Sequence, residues 1–263
     1  MLKSGEFIIL YHSPQTKFLV EFKPNLEFNC HKGQLILPEE LEFGQKLISN
    51  KGYFFYVLPA MLKDKAMKVK RSHTIIYPKE APRIIYELGI LPGKKVAEIG
   101  TGSGAFTMIL AEMVGENGKV VTIDISEISH QTAKKNIERL GSKNLINNIE
   151  FILCNSVEQL HDLKNPAIPY QNYFDAVFVD IPTPWEVIPL VNKLLKKGHR
   201  AGFLSPTVEQ VAKTFEVLEE NNFINLDCFE ILERNMKIKT GQSRPVDRMV
   251  AHTAYIYFAS STL

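Results

Sequence analysis

Three stretches of this 263-residue chain combine residue types whose spacing can do chemistry. The first is Glu98-Ile99-Gly100-Thr101-Gly102-Ser103-Gly104-Ala105, which joins an apolar run, KVAEIG, to a helical one, AFTMILAEMVG. Glycines at such a turn let the backbone bend sharply and approach a ligand, while the helix start behind them offers unpaired N–H groups. A nucleotide-like ligand is the natural reading. Gly100, Gly102 and Ala105 also satisfy the G-x-G-x-x-G/A spacing of dinucleotide sites, so the glycines alone do not choose a cofactor. The second stretch, VVTIDIS, ends an apolar run at Asp124. That is about 20 residues beyond the loop, where a carboxylate accepts hydrogen bonds from the hydroxyls of an adenosine ribose. Ser126 is a good N-cap for the helix that follows, which leaves Asp124 available. The third stretch, DAVFVDIPTPWE, ends in Asp180, followed by two prolines that stiffen the loop. A carboxylate at the carboxyl end of a central strand sits in the ligand crevice of an open α/β sheet, and Thr183 is better placed to cap the next helix. Asp180 is therefore expected to face the substrate.

The elements that must carry these residues are legible as alternating runs. From Lys95 onward, strand-length apolar segments (KVAEIG, KVVTID, IEFILC, DAVFVD, AGFLSP) alternate with segments of helical period (AFTMILAEMVG, SHQTAKKNIERLG, EVIPLVNKLLKK, TVEQVAKTFEVLEENN). This is the pattern of βαβ units on a parallel sheet. Two further strands, near LDCFEILER and TAYIYFA, have no helix between them and are expected to close a seven-stranded sheet as a hairpin. Asn155 and Ser156 follow the third strand, where an adenine ring would lie; both are also ordinary turn residues. Residues 1–61 read as a small β domain of short strands (EFIILYH, KFLVEF, GQLILP, YFFYVLP), residues 62–80 as a basic linker, and residues 81–263 as the α/β domain.

Composition narrows the function classes. Hydrophobic residues make up 45% and charged residues 23%, the profile of a packed globular protein. Lys+Arg is 31 against Asp+Glu 29, so net charge gives no indication of a nucleic-acid partner. Cys30, Cys154 and Cys228 are widely spaced without CxxC, which supports neither a disulfide framework nor a structural zinc. With no apolar run long enough for a membrane span and no secretory leader, a reducing, cytoplasmic setting without a membrane or metal partner is expected. His130 and Cys154 read as structural, and Trp185 as packing at a helix start.

Glu98, two residues before the first glycine, and Gly104 extend the loop to E-x-G-x-G-x-G, which resembles class I methyltransferases and shifts the cofactor toward S-adenosylmethionine. Nearly the full chain further resembles the tRNA (adenine-N1)-methyltransferases that modify adenosine 58 of the T loop. The matching stretches are the small β domain, RSHTIIYPKE, VAEIGTGSGAFTMILAEMVG, FDAVFVDIPTPWE, SPTVEQV and RPVDRMVAHTAYIYFA. This resemblance implies a Rossmann-like fold with Asp180 as the catalytic carboxylate. It implies that Glu98, Gly100 to Ala105 and Asp124 hold S-adenosylmethionine, with Asn155 and Asp180 contributing, and that Tyr77 lies near the methyl donor or target base. It also implies a homotetramer. Glu80 stands where the family usually has Asp, Asn155 where an acid is common, and Asn235 where Trp is frequent after Arg234.

RNA contacts are expected from two local windows: residues 63–71, with five basic residues and one acid, and residues 234–248, with Arg234, Lys237, Lys239, Arg244 and Arg248 against Asp247. Three arginines suit the second window to phosphate forks. Solvated surface charge is the competing reading for the first. His252 is a further candidate substrate contact. The alternatives are a methyltransferase of the isoaspartyl type acting on protein, a non-catalytic tRNA-binding subunit, and a nicotinamide dehydrogenase.

Overall fold

A computed structural model describes residues 1–71 and 74–262. Ser72 and His73, within the stretch RSHTIIYPKE, lie outside the described residues. The chain divides into two compact units, Met1–Val69 and Lys70–Leu263.

In the first unit, β1 (Phe7–Ser13), β2 (Thr16–Glu21), β5 (Lys46–Ile48) and β6 (Phe54–Pro59) form an antiparallel sheet in the order β2-β1-β6-β5, and β3 (Glu27–Cys30) pairs with β4 (Gly33–Ile36). Alternation in β6 turns Phe55 and Val57 into a core with Ile8, Leu10, Phe22 and Leu35. The short β3 and β5, rich in Lys, Glu and Asn, were not legible as strands. The expected basic linker 62–80 is corrected by burial. Helix α1 (Leu62–Ala66) lies in the first unit, where Asp64 accepts the N–H of Met61 at 3.1 Å and stands 3.8 Å from the Lys17 ammonium. Ile75, Ile76 and Glu80 are buried in the second unit. Among the described residues of this span, Ala66, Val69, Ile75 and Ile76 are buried between the basic residues.

The second unit has the expected α/β architecture: a seven-stranded, mostly parallel sheet ordered β12-β15-β11-β10-β7-β8-β9. Its strands are β7 (Lys95–Ile99), β8 (Lys119–Asp124), β9 (Ile149–Leu153), β10 (Phe174–Val179), β11 (Leu195–Ser205), β12 (Phe223–Phe229) and β15 (Tyr255–Ser261). The helices are α2 (Ala81–Glu87), α3 (Ala105–Val114), α4 (Glu127–Leu140), α5 (Val157–His161), α6 (Ile188–Leu194) and α7 (Val208–Glu220). Because helices cover both faces, the central strands are buried throughout and read as continuous apolar runs rather than alternating ones. Ala97, Ile99, Val121, Val177 and Val179 pack with Leu160, Val191, Leu194 and Val211 on the side of α5, α6 and α7. On the other face Phe106 of α3 lies against Phe178 of β10, with ring centroids 4.8 Å apart.

The expected closing pair is present: β12 and β15 are antiparallel neighbours, with β15 between β12 and β11. The chain between them is a long excursion carrying a minor ladder of β13 (Met236–Lys237) and β14 (Arg244–Pro245). One expectation needs correction: α6 stops at Leu194 instead of running through Lys197. Leu195 is fully buried in β11 opposite Phe174, and Lys196 is held 2.7 Å from Asp175. Tertiary burial and an ion pair override local helix propensity there.

Asn136, buried on α4, connects these layers to the loop of interest. Its Nδ2 donates to the carbonyls of Lys70 and Ser103, both at 2.9 Å, and its Oδ1 accepts the N–H of Lys70 at 2.8 Å. Replacing Asn136 by Ala should destabilise the protein by roughly 2 kcal/mol, as expected for buried polar groups losing their partner. Denaturant unfolding of Asn136→Ala checks this; an unchanged midpoint would contradict it.

Candidate active site

The loop between β7 and α3 is built by three glycines with positive φ, each with a different neighbour. A Cβ on Gly100 would lie 2.2 Å from the carbonyl oxygen of Asp180, and one on Gly104 2.6 Å from the Cβ of Ala133. These two glycines let the loop press against the end of β10 and against α4. Only a Cβ on Gly102 would meet open space, so close approach to a ligand explains that position alone. The loop is closed by backbone bonds from Gly100 N–H to Ile123 O at 2.9 Å and from Gly104 N–H to Thr101 O at 2.9 Å.

Beneath it, Glu98 is fully enclosed. Its Oε2 accepts from the hydroxyls of Thr107 on α3 at 2.5 Å and Thr122 on β8 at 2.7 Å, and Thr122 in turn pairs with the hydroxyl of Thr101 at 2.7 Å. Burial pushes the Glu98 carboxyl up to about 8, with the Asp180 and Asp124 charges adding to the rise and the two hydroxyl bonds opposing it. Glu98 thus braces the loop from below. Thr122, a polar residue inside the run VVTID, was the sequence signal for this network.

Asp124 is engaged as well as exposed to the cavity. Its Oδ1 accepts the N–H of Ser126 at 2.8 Å and its Oδ2 that of Gly102 at 3.2 Å. A carboxylate offers about four acceptor positions, so lone pairs remain for ribose hydroxyls. Ser126 caps α4 by accepting from Ser129 N–H at 3.2 Å, as expected. Asp180 follows β10 with its N–H bonded to Ile99 O at 2.9 Å, and desolvation alone pushes its carboxyl up to about 6. Thr183 occupies the N-cap position of the turn at Pro184–Val187, with its hydroxyl donating to Glu186 at 2.8 Å, which leaves Asp180 uncommitted.

Tyr77, Glu98, Gly100, Thr101, Gly102, Ser103, Ala105, Asp124 and Asp180 all line one cavity of about 920 Å³. Gly104 sits just behind this wall as the N-cap of α3. The remaining expected contacts are placed elsewhere. Asn155 is exposed, its N–H held by Gln159 Oε1 at 2.9 Å, and it is not on the cavity wall; Val157, Leu160 and His161 of α5 are there instead. Arg234, Arg244 and Arg248 are exposed on the excursion between β12 and β15. Arg244 and Lys237 both turn onto Asp247, and this pairing holds that carboxyl below its usual range. His252 stands outside the cavity wall, its Nδ1 on Glu230 at 3.0 Å and its Nε2 on the carbonyl of Pro206 at 2.8 Å. The Glu230 bond, then the Pro206 bond, raise its pKa, and the ring staples the excursion to the end of β11. Burial lowers the pKa of His130, packed edge-on to Phe151, and Cys154 is buried, as their structural reading required.

The wall also contains Gln210 and Glu80, to which the sequence assigned no role. Gln210 donates to the Pro182 carbonyl at 2.9 Å and fixes the DIPTP loop, while buried Glu80 accepts from Thr253. Bare backbone at Gly102, a two-lobed acid at Asp124 and a cavity within the usual range of cofactor pockets fit S-adenosylmethionine. Among the described residues no group of three or more His, Cys, Asp or Glu is arranged to hold a metal ion.

Residues 53–243 match the family described as the tRNA methyltransferase complex GCD14 subunit. The chain belongs to this family. A relative from Methanocaldococcus jannaschii, the tRNA (adenine(57)-N(1)/adenine(58)-N(1))-methyltransferase TrmI, is 35% identical over 84% of this chain and 83% of its own length. The catalytic subunit TRM61 of the Candida albicans tRNA (adenine(58)-N(1))-methyltransferase is 28% identical over 93% of this chain and 72% of its own. Among solved structures, the tRNA (m1A58) methyltransferase TrmI of Aquifex aeolicus matches with a TM-score of 0.80 and 34% identity, covering 100% of this chain and 99% of that one. A SAM-dependent O-methyltransferase of Thermotoga maritima matches at 0.89 with 31% identity, covering 100% and 95%. The fold is thus that of a class I S-adenosylmethionine-dependent methyltransferase.

The raised Glu98 has a consequence for stability. The folded chain keeps a proton that the unfolded chain releases, so its contribution is complete below pH 4.5 and is lost as pH rises toward about 8. The slope is at most ~1.4 kcal/mol per pH unit. Glu98→Gln, which keeps an oxygen for both threonines, should gain on the wild type between pH 5 and pH 8 in denaturant melts. An equal difference at both pH values would contradict the assignment.

Proposed function

We propose that this protein transfers a methyl group from S-adenosylmethionine to N1 of adenosine 58 in the T loop of tRNA. The observation that carries this reading is Asp180: a desolvated carboxylate on the same cavity as the glycine loop and Asp124, uncommitted to any cap. The names of the M. jannaschii, C. albicans and A. aeolicus relatives support the substrate. The intact loop and acids argue against a non-catalytic subunit.

N1 of adenine lies on the Watson–Crick edge, so the target nucleotide must leave its stack to enter the cavity. S-adenosylmethionine, when bound, supplies a methyl group activated on a sulfonium. N1 already carries an in-plane lone pair, so the residues here need not create a nucleophile; they align it and exclude water. Asp124 and the loop N–H groups would hold the cofactor's ribose and backbone-facing parts, and Glu98 keeps that loop in shape. Asp180 accepts N6–H as positive charge spreads over N1, C6 and N6. That contact is stronger in the transition state than in the ground state and lowers the barrier. It then takes the N6 proton if the product is released neutral.

Phosphate contacts fall to the exposed basic residues of the excursion, Arg234, Lys239 and Arg248, and to Lys63, Lys68 and Lys70. The pairing of Lys237 and Arg244 with Asp247 leaves fewer uncompensated charges in the second window than its sequence suggests. We infer that the working assembly is a homotetramer acting in the cytoplasm; no helix among the described residues is long and apolar enough to cross a membrane.

Incubation with labelled S-adenosylmethionine and unmodified tRNA, followed by nucleoside mapping, should place 1-methyladenosine at position 58; label on a ribose hydroxyl or on protein would overturn the reading. Asp180→Asn should bind the cofactor normally but lose roughly 100-fold or more in kcat/KM. Wild-type kcat/KM should fall as pH drops through about 6, where Asp180 becomes protonated and can no longer accept N6–H. The same acid limb retained in Asp180→Asn would assign it to another group.

A further inference from the structure

The outward face of the first unit's four-stranded sheet carries aromatic rings that the core does not use. Along β6, Phe55 and Val57 enter the core, so Phe54, Tyr56 and Leu58 point the other way and are 38%, 39% and 37% exposed. Strand register extends this face across the sheet. Lys17 of β2 stands opposite Tyr11 of β1, Tyr11 opposite Tyr56 of β6, and Tyr56 opposite Lys46 of β5. Exposed Ile48 of β5 lies opposite Phe54. Adjacent strands are about 4.8 Å apart, so two tyrosines sit between two lysines in one row. A contiguous exposed patch of this kind, unlike scattered apolar residues, marks a binding surface.

The rings are fixed by their neighbours. His12 Nδ1 donates to the Phe54 carbonyl at 2.8 Å, and its ring lies 5.0 Å from that of Phe54 and 5.7 Å, edge-on, from that of exposed Tyr53. Phe54 in turn meets Tyr56 edge-on at 5.7 Å. Two cations lie against this group: the Lys32 ammonium is 4.4 Å from the centre of the Tyr53 ring, and that of Lys46 is 4.9 Å from the centre of the Phe54 ring. An aromatic ring attracts an ammonium without neutralising it. Among the described residues neither lysine has a carboxylate ion pair, whereas Lys17 and Lys23 of the same unit stand against Asp64 and Glu21. Flat rings interleaved with uncompensated cations call for a ligand that offers flat faces and negative charge together.

We propose that this face binds unpaired nucleotides of tRNA, with bases stacked on Tyr53, Phe54 and Tyr56 and phosphates drawn to Lys32 and Lys46. This rests on the tRNA reading above and gives the first unit its own part in holding the substrate. Every base has a π face, so the surface supplies affinity and leaves the choice of adenosine to the cavity. Because the rings are already held, little further order is lost on binding. A second copy of the chain fits less well: a two-fold interface sets a patch against itself and would bring these lysines against their own copies.

The test measures affinity of the full-length protein for an unmodified tRNA transcript by fluorescence anisotropy over a range of salt. Phe54→Leu/Tyr56→Leu keeps an apolar face but removes two rings, and it should bind roughly tenfold more weakly with the salt slope retained. Lys32→Gln/Lys46→Gln should also bind more weakly, with the slope of log affinity against log salt reduced by about 1 to 2. As a control, Ile36→Ser removes an exposed apolar residue from β4 of the same unit and should bind as wild type does. S-adenosylmethionine affinity by calorimetry and assembly mass by light scattering are read on each preparation. Affinities within about twofold of wild type in both double variants would overturn the inference. So would weaker binding accompanied by a change in assembly mass, which would make the face an interface between copies. Should the leucine variant not fold, the lysine variant decides, and an unchanged affinity and slope there would overturn the inference. Wild type that leaves adenosine 58 unmethylated would instead overturn the proposed function itself.

Discussion

The ends of β7 and β10 can meet only because residue 100 has no side chain: any Cβ there would stand 2.2 Å from the Asp180 carbonyl oxygen. That approach fixes the cofactor loop and the reacting carboxylate in one frame. Backbone bonds continue it, from Asp180 N–H to Ile99 O and from Gly100 N–H to Ile123 O, so the carboxyl ends of β8, β7 and β10 form a single edge. Methyl transfer to a nitrogen that already has a lone pair depends mainly on alignment, and alignment here is a property of backbone contacts rather than of mobile side chains. The rest of the unit supports that edge: Asn136 holds the loop from α4, and Gln210 holds the proline-stiffened loop after Asp180.

A second constraint is electrostatic. Glu80, Glu98, Asp124 and Asp180 all border one cavity, and burial favours the protonated form of Glu98 and Asp180. The structure treats them differently. Glu98 is sealed off, bonded to two threonines and driven up to about 8, which removes its charge at neutral pH. Asp180 rises only to about 6 and remains ionised near pH 7. Asp124 is braced by two backbone N–H groups. The remaining anionic character suits a sulfonium cofactor and an adenine that becomes cationic as it reacts.

Local pattern made the second unit's strands, the glycine loop, Asp124 and Asp180 readable in advance, because each sits within a run whose periodicity and end residues carry the signal. What the sequence hid was decided by contacts between distant segments. Glu80 meets Thr253 across 173 positions, and nothing local to either residue announces the pair. The antiparallel pair of β12 and β15 was legible, whereas the position of β15 between β12 and β11 was not, because it is set by contacts across the sheet. Lys196 looked like the basic end of a helix until Asp175 drew it into a strand. Asn155 follows the third strand where an adenine contact was expected but is exposed and off the cavity wall, and the basic window at 234–248 is partly neutralised by its own Asp247.

The dependence of cofactor binding and chemistry on one close approach is tested most directly by Gly100→Ala, with S-adenosylmethionine affinity measured by calorimetry and methylation of tRNA followed on the same preparation. The added Cβ must push the loop away from Asp180, so the variant should fold, as judged by circular dichroism, yet lose cofactor affinity and turnover together. A Gly100→Ala enzyme that binds S-adenosylmethionine and methylates tRNA at the wild-type rate would contradict the account.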